Sequence, residues 1–183
     1  MLNRRGAILS LTAGTLAAGW AVPVVAAVAG PTLAWAPTAL SAAQALALTA
    51  AAGRIVPTTE TPGAVEAGVP QFVDRTLATW STPLDVEKMK AGLTRLDSDA
   101  RVAHGKVFAA LDPAQQDALL TAYDAEAKTQ GWAHFFSVLR ELVTWGYFTS
   151  EAGATKALNY NPVPGPYRGC VPLKEIGRGW ALL

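Results

Sequence analysis

The stretch Trp132-Ala133-His134-Phe135-Phe136-Ser137-Val138-Leu139-Arg140-Glu141-Leu142-Val143-Thr144-Trp145-Gly146-Tyr147-Phe148 decides the fold. Trp132, Phe135, Phe136, Leu139, Leu142, Val143 and Tyr147 recur at helical spacing, so they lay an apolar stripe along one helix, which Trp145 and Phe148 broaden. A stripe of that width needs cover from several neighbours, which makes this the central helix of a bundle. Gly131 separates it from the clearest helix start in the chain. There Asp112 is the N-cap, Pro113 takes the first helical position and Gln115 stands three residues after the cap, opening a helix that should reach about Lys128.

Toward the N-terminus the same period continues. Ser41 to Arg54 is rich in Ala and Leu and reads as a helix ending at Gly53, before Pro57. Thr58 to Ala64 is a loop with Pro62-Gly63 as its turn pair. Val69, Phe72, Val73, Thr76, Leu77 and Trp80 form an amphipathic face opposite Asp74 and Arg75. Val86, Met89, Leu93 and Leu96 predict a third helix from Pro83 to about Asp97. A further, weaker helix is expected through Val102, Val107 and Phe108 to Leu111, interrupted by Gly105.

Beyond Thr149 the Pro- and Gly-rich run Asn159 to Tyr167 forbids both helix and central strand. No alternating strand pattern of useful length occurs. The expected fold is all-α, an irregular bundle of about five or six helices over residues 37–148, with an extended Pro/Gly-rich C-terminal arm over 149–183.

The first 36 residues read as an export signal rather than as part of the fold. Arg4 and Arg5 precede a stretch from Gly6 to Gly53 with no charged residue, and the segment Ala7 to Ala29 is padded with Ala, Gly and Thr. That is the layout of a twin-arginine signal, a route that carries folded cargo. Small-x-small sites stand at Ala27-Val28-Ala29 and Ala34-Trp35-Ala36; an uncleaved signal would instead tether the protein to the inner membrane. The expected location is the periplasm. From Arg54 onward, removing Arg4 and Arg5 from the fifteen basic residues leaves thirteen against fourteen acidic ones, so there is no basic field for nucleic acid.

A search for catalytic groupings finds none. His104 and His134 lie thirty positions apart with no carboxylate or cysteine at metal-ligand spacing, and read as surface or packing residues. Haem, iron–sulfur, dinucleotide, P-loop and nucleophile-elbow motifs do not occur. Glu60, Glu66 and Glu151 have no partner in the sequence pattern and read as solvated carboxylates. Catalytic, cofactor-binding and metal-ligating residues are therefore expected to be absent. What remains is contact surface. Tyr147 and Phe148, with Tyr160, Pro162, Pro164, Tyr167, Val171, Leu173 and Trp180 of the arm, are the candidate partner interface. The arm wrapping its own core is the other reading of these residues. Cys170, the single cysteine, is a candidate for an intersubunit disulfide or a free, packed thiol.

Several of these segments together resemble the small subunit, subunit 3, of the gluconate 2-dehydrogenase type. The likeness rests on Arg54-Ile55-Val56-Pro57, Thr61-Pro62-Gly63-Ala64 and the Val69 to Trp80 helix. It continues through Ala91-Gly92-Leu93 with Leu96-Asp97, Phe108-Ala109-Ala110-Leu111-Asp112-Pro113-Ala114-Gln115-Gln116, and Phe135-Phe136 to Gly146-Tyr147-Phe148. The resemblance implies a non-catalytic chain with no cofactor of its own. Its implied partner is a large FAD-dependent dehydrogenase subunit of the glucose-methanol-choline type, which oxidises a sugar, sugar acid or polyol, often with a c-type cytochrome subunit as electron acceptor. The small chain would supply the export signal and stabilise or mature that membrane-associated flavoprotein. Thr149-Ser150-Glu151 and Tyr160 to Gly165 replace the Gly-rich, Asn-containing stretch usual in the family, which implies a distinct subgroup. A periplasmic helical binding or scaffold protein acting alone is the alternative.

Overall fold

The computed structural model describes residues 32–163, 165–166 and 169–181. Arg4, Arg5, the segment to Ala29, Pro164, Tyr167 and the side chain of Leu173 lie outside the described residues. The fold is all-α. The chain forms α1 (Ala42–Ile55), α2 (Val69–Thr79), α3 (Pro83–His104), α4 (Pro113–Gln130), α5 (Phe135–Phe148) and the single turn α6 (Leu173–Ile176). Among the described residues there is no strand, only an isolated parallel bridge between Asn159 and Trp180.

The helix starts follow local chemistry. Ser41 and Gln44 form a capping box on α1, and Asp112 and Gln115 form one on α4, each satisfying two backbone N–H groups that a helix start leaves free. Thr82 caps α3 ahead of Pro83. His134 caps α5, its Nδ1 accepting from the Phe136 N–H at 3.3 Å.

Two expectations about elements are corrected. There is no separate helix through Val102 to Leu111. Instead α3 runs 22 residues, to His104, and Gly105 ends it at φ +71, a left-handed conformation that glycine adopts without steric cost. Val107 then begins a short 3₁₀ turn, Phe108–Ala110, which drops Phe108 into the core. Trp132 also leaves the predicted stripe: it sits in the 3₁₀ turn Gly131–Ala133 and is exposed. Helical structure further continues past Phe148, through a π-helical turn at Gly153–Ala157.

Both α1 and α5 touch each of the other three long helices as well as one another. For α1 this follows from size. Its buried residues are Ala45, Ala47, Leu48, Ala51 and Ala52, so neighbours approach closely. For α5 it depends on α3: Phe135 lies flat over Gly92, where a Cβ would stand 2.1 Å from the ring. Tyr123 and Phe136 meet Phe135 edge-on at 5.5 and 6.4 Å. Burying a ring of this kind is worth about 2–3 kcal/mol.

Charged side chains fasten the outside. Arg54 on α1 donates two hydrogen bonds to Asp117 on α4, at 2.7 and 2.6 Å. Arg95 on α3 does the same to Glu126 on α4, at 3.0 Å each, while lying 5.0 Å over the Tyr123 ring. The Tyr123 hydroxyl donates to Asp99 at 2.7 Å. Ahead of α1, residues Leu33, Trp35 and Ala39 pack on the core. Buried Asp74 of α2 pins this segment, accepting the backbone N–H groups of Thr38, Ala39 and Leu40 at 2.6, 3.1 and 3.0 Å.

Gly92→Ala tests the α3–α5 approach. Alanine gains about 1 kcal/mol of helix propensity, but overpacking costs about 1–3 kcal/mol or more, and a ring at 2.1 Å enclosed by other aromatics leaves no room to yield. Net destabilisation is expected, read as a lower urea midpoint. Tyr123 sets an alkaline limit. Burial first, then the hydrogen bond to Asp99, raises its phenol above the ordinary 10.0. The unfolded chain then ionises first, so the stability Tyr123 contributes is full below pH 10 and lost as pH rises beyond it. Urea midpoints measured from pH 8 to 11 should fall less steeply above pH 10 in Tyr123→Phe than in the parent.

Candidate partner interface

The titratable residues considered for chemistry are dispersed. His104 is exposed at the end of α3. His134 is buried, with Nδ1 engaged as a cap and Nε2 3.5 Å from Glu126 Oε2, which makes it a packing residue. Glu60 stands alone in its loop, whereas Glu66 and Glu151 do converge, lining a shallow concavity of about 280 Å³ with Ser150, Thr155 and Lys156. Both carboxylates are exposed. No group of three or more His, Cys, Asp or Glu among the described residues is placed to hold a metal ion. Among those residues no helix is long and apolar enough to cross a membrane.

The C-terminal arm is not simply extended. Asn159 clasps its far end: its backbone N–H donates to Gly179 O at 2.8 Å and its carbonyl accepts from the Ala181 N–H at 3.0 Å. Its side-chain amide donates to Ile176 O and Arg178 O at 2.8 and 2.9 Å. Arg178 adds a bond to the carbonyl of Lys156. The segment between is thus a loop closed at its base. On it Tyr160, Pro162 and Trp180 are exposed, Val171 is half-buried, and Cys170 is an exposed free thiol.

Tyr147 does not belong with these surface residues. It is 3% exposed, and its hydroxyl donates to Pro62 O at 2.9 Å, holding the loop before α2 against α5. Phe148, by contrast, is 40% exposed and lies on a larger aromatic surface that the stripe reading assigned to the core. Trp145 and Phe148 follow Glu141 by four and seven residues, so the helical period itself places them on the polar face of α5. Trp145, Phe148 and Trp132 border a concavity of about 690 Å³ that also takes in Arg140 and Glu141. Trp80, at the C-cap of α2, faces a second concavity that shares Trp145. Trp80 and Trp132 each flank a helix end, before Thr82-Pro83 and after Gly131, and that position was the available signal for their exposure.

Exposed apolar groups that adjoin one another mark interaction surfaces on soluble chains. Tryptophan dominates interface hot spots, because it buries a large area while losing few rotamers. Two exposed features stand out: an aromatic face on α2 and α5, and a closed loop beyond Leu158.

No curated protein and no solved structure matches the chain. The family model described as gluconate 2-dehydrogenase subunit 3 matches residues 42–165, from the first residue of α1 into the closed loop. That span holds every long helix among the described residues, the Asp112 cap and the Phe135-on-Gly92 contact. The chain belongs to the gluconate 2-dehydrogenase subunit 3 family.

Proposed function

We propose that this chain is the non-catalytic small subunit of a periplasmic, membrane-associated dehydrogenase complex. It supplies the twin-arginine signal and stabilises or matures a large FAD-dependent flavoprotein of the glucose-methanol-choline type, which oxidises a sugar, sugar acid or polyol. The observation that carries this reading is the match of residues 42–165 to a family named for subunit 3 of gluconate 2-dehydrogenase. The aromatic face and the closed loop support it, since both offer anchors to a second protein. FAD belongs to the partner in this reading, and a c-type cytochrome subunit takes the electrons onward. Exposed Cys170 is the candidate for a disulfide to the large subunit.

Co-expression with a large FAD-dependent dehydrogenase subunit of the glucose-methanol-choline type, taken from a neighbouring gene where one encodes it, tests the assignment. The parent chain should purify with a stoichiometric, FAD-containing partner from the periplasm, and replacing Arg4 and Arg5 by lysine should leave both chains in the cytoplasm. A colourless parent chain that purifies alone would favour the solitary scaffold. Deleting residues 159–183 removes the clasped loop and should abolish co-purification; a retained stoichiometric complex would show that the loop is not needed for docking.

A further inference from the structure

Between the end of α2 and the outer face of α5 lies a cleft of about 410 Å³, walled by Phe72, Arg75, Thr76, Trp80 and Trp145. Its floor is fixed. Phe72 meets Trp145 edge-on, with centroids 5.6 Å apart at 77°. It fits there because residue 146 is glycine: a Cβ at that position would stand 2.6 Å from the Phe72 ring. The rim lies open to water, with Trp80 85% and Trp145 55% exposed.

Charge adds a second feature. Arg54, Arg95, Arg101 and Arg140 each face a carboxylate within the fold. Arg75, exposed on the cleft wall, has no ion pair among the described residues. An aromatic-walled cleft with one unpaired guanidinium at its edge is matched by an apolar side chain with a carboxylate beside it. The planar guanidinium takes the carboxylate in a two-pronged bond, and the excluded water strengthens that bond. Because Trp145 also borders the concavity beside Trp132 and Phe148, the same partner segment is offered a continuous track along α5.

We propose that this cleft docks a segment of the catalytic flavoprotein, with a large apolar side chain entering between Trp80 and Trp145 and a neighbouring carboxylate pairing with Arg75. The proposal rests on the reading of the chain as an accessory subunit. It makes the helical body, not the C-terminal loop alone, a site of attachment.

The test uses the full-length complex with two substitutions at exposed positions, Trp80→Ser and Arg75→Glu. Circular dichroism melts of each variant confirm that the fold is kept. The affinity for the flavoprotein should fall roughly 30-fold in Trp80→Ser, the level of an interface hot spot. Arg75→Glu should also weaken binding and remove part of the salt dependence seen in the parent. If the parent binds the flavoprotein and both variants bind it equally well, the cleft assignment is overturned while the accessory reading stands. If the parent binds no flavoprotein, both fall together. Flavoprotein binding that is unchanged, with self-association in light scattering or sedimentation with phosphatidylglycerol vesicles lost instead, assigns the cleft to a second copy or to a membrane and likewise overturns the proposal.

Discussion

The fold depends on one close approach, the ring of Phe135 resting on the bare backbone at Gly92. Any side chain at position 92 would push the start of α5 outward. The aromatic group of Tyr123, Phe135 and Phe136 would then lose its floor, and α4 its seat against α5. Native interiors have little slack, and a shift of half an ångström already forfeits much of the dispersion energy of a contact. The small residues of α1 play the same part on the other side of the bundle. Close approach, more than greasiness, is what lets two helices share the centre.

Polar groups then fix the irregular segments that a helical period cannot specify. Asp97 Oδ1 accepts the buried Phe108 N–H, and Gln116 donates to Phe108 O, each at 3.0 Å, so both backbone groups are satisfied as the ring enters the core. The Tyr147 hydroxyl serves the loop before α2 in the same way, and Asn159 serves the C-terminal loop. Losing one partner in such a site leaves a buried donor or acceptor without compensation, which costs more than the bond itself contributes. The irregular parts are consequently as specific as the helices.

Much of the bundle was legible in the sequence because its signals are local. The Asp112 cap and the Val69 to Trp80 helix were readable from spacing within a few residues. The length of α3 was not, since Gly105 weakens a helix interior and completes a helix end equally well, and φ decides between the two. The Asp74 clamp joins residues 34 to 36 positions apart, and the Arg95–Glu126 pair spans 31, distances at which a single sequence carries no pairing signal. The exposed surface is half legible. The arm stands out by composition, whereas Trp145 reads as core by its hydrophobicity although its spacing from Glu141 puts it on the polar face of α5.

Asp74 has a mechanical consequence. A pull applied to the chain ahead of α1 reaches Thr38, Ala39 and Leu40 before it reaches the helix, and there it loads three hydrogen bonds to a single carboxylate at once. Freeing this segment therefore requires breaking all three bonds, as well as the packing of Leu33, Trp35 and Ala39 on the core. The load passes through α2 into the middle of the bundle, to which α5 is packed. Whatever is fastened to the outer side of those two helices is thus joined, through Asp74, to residues 38–40 ahead of α1.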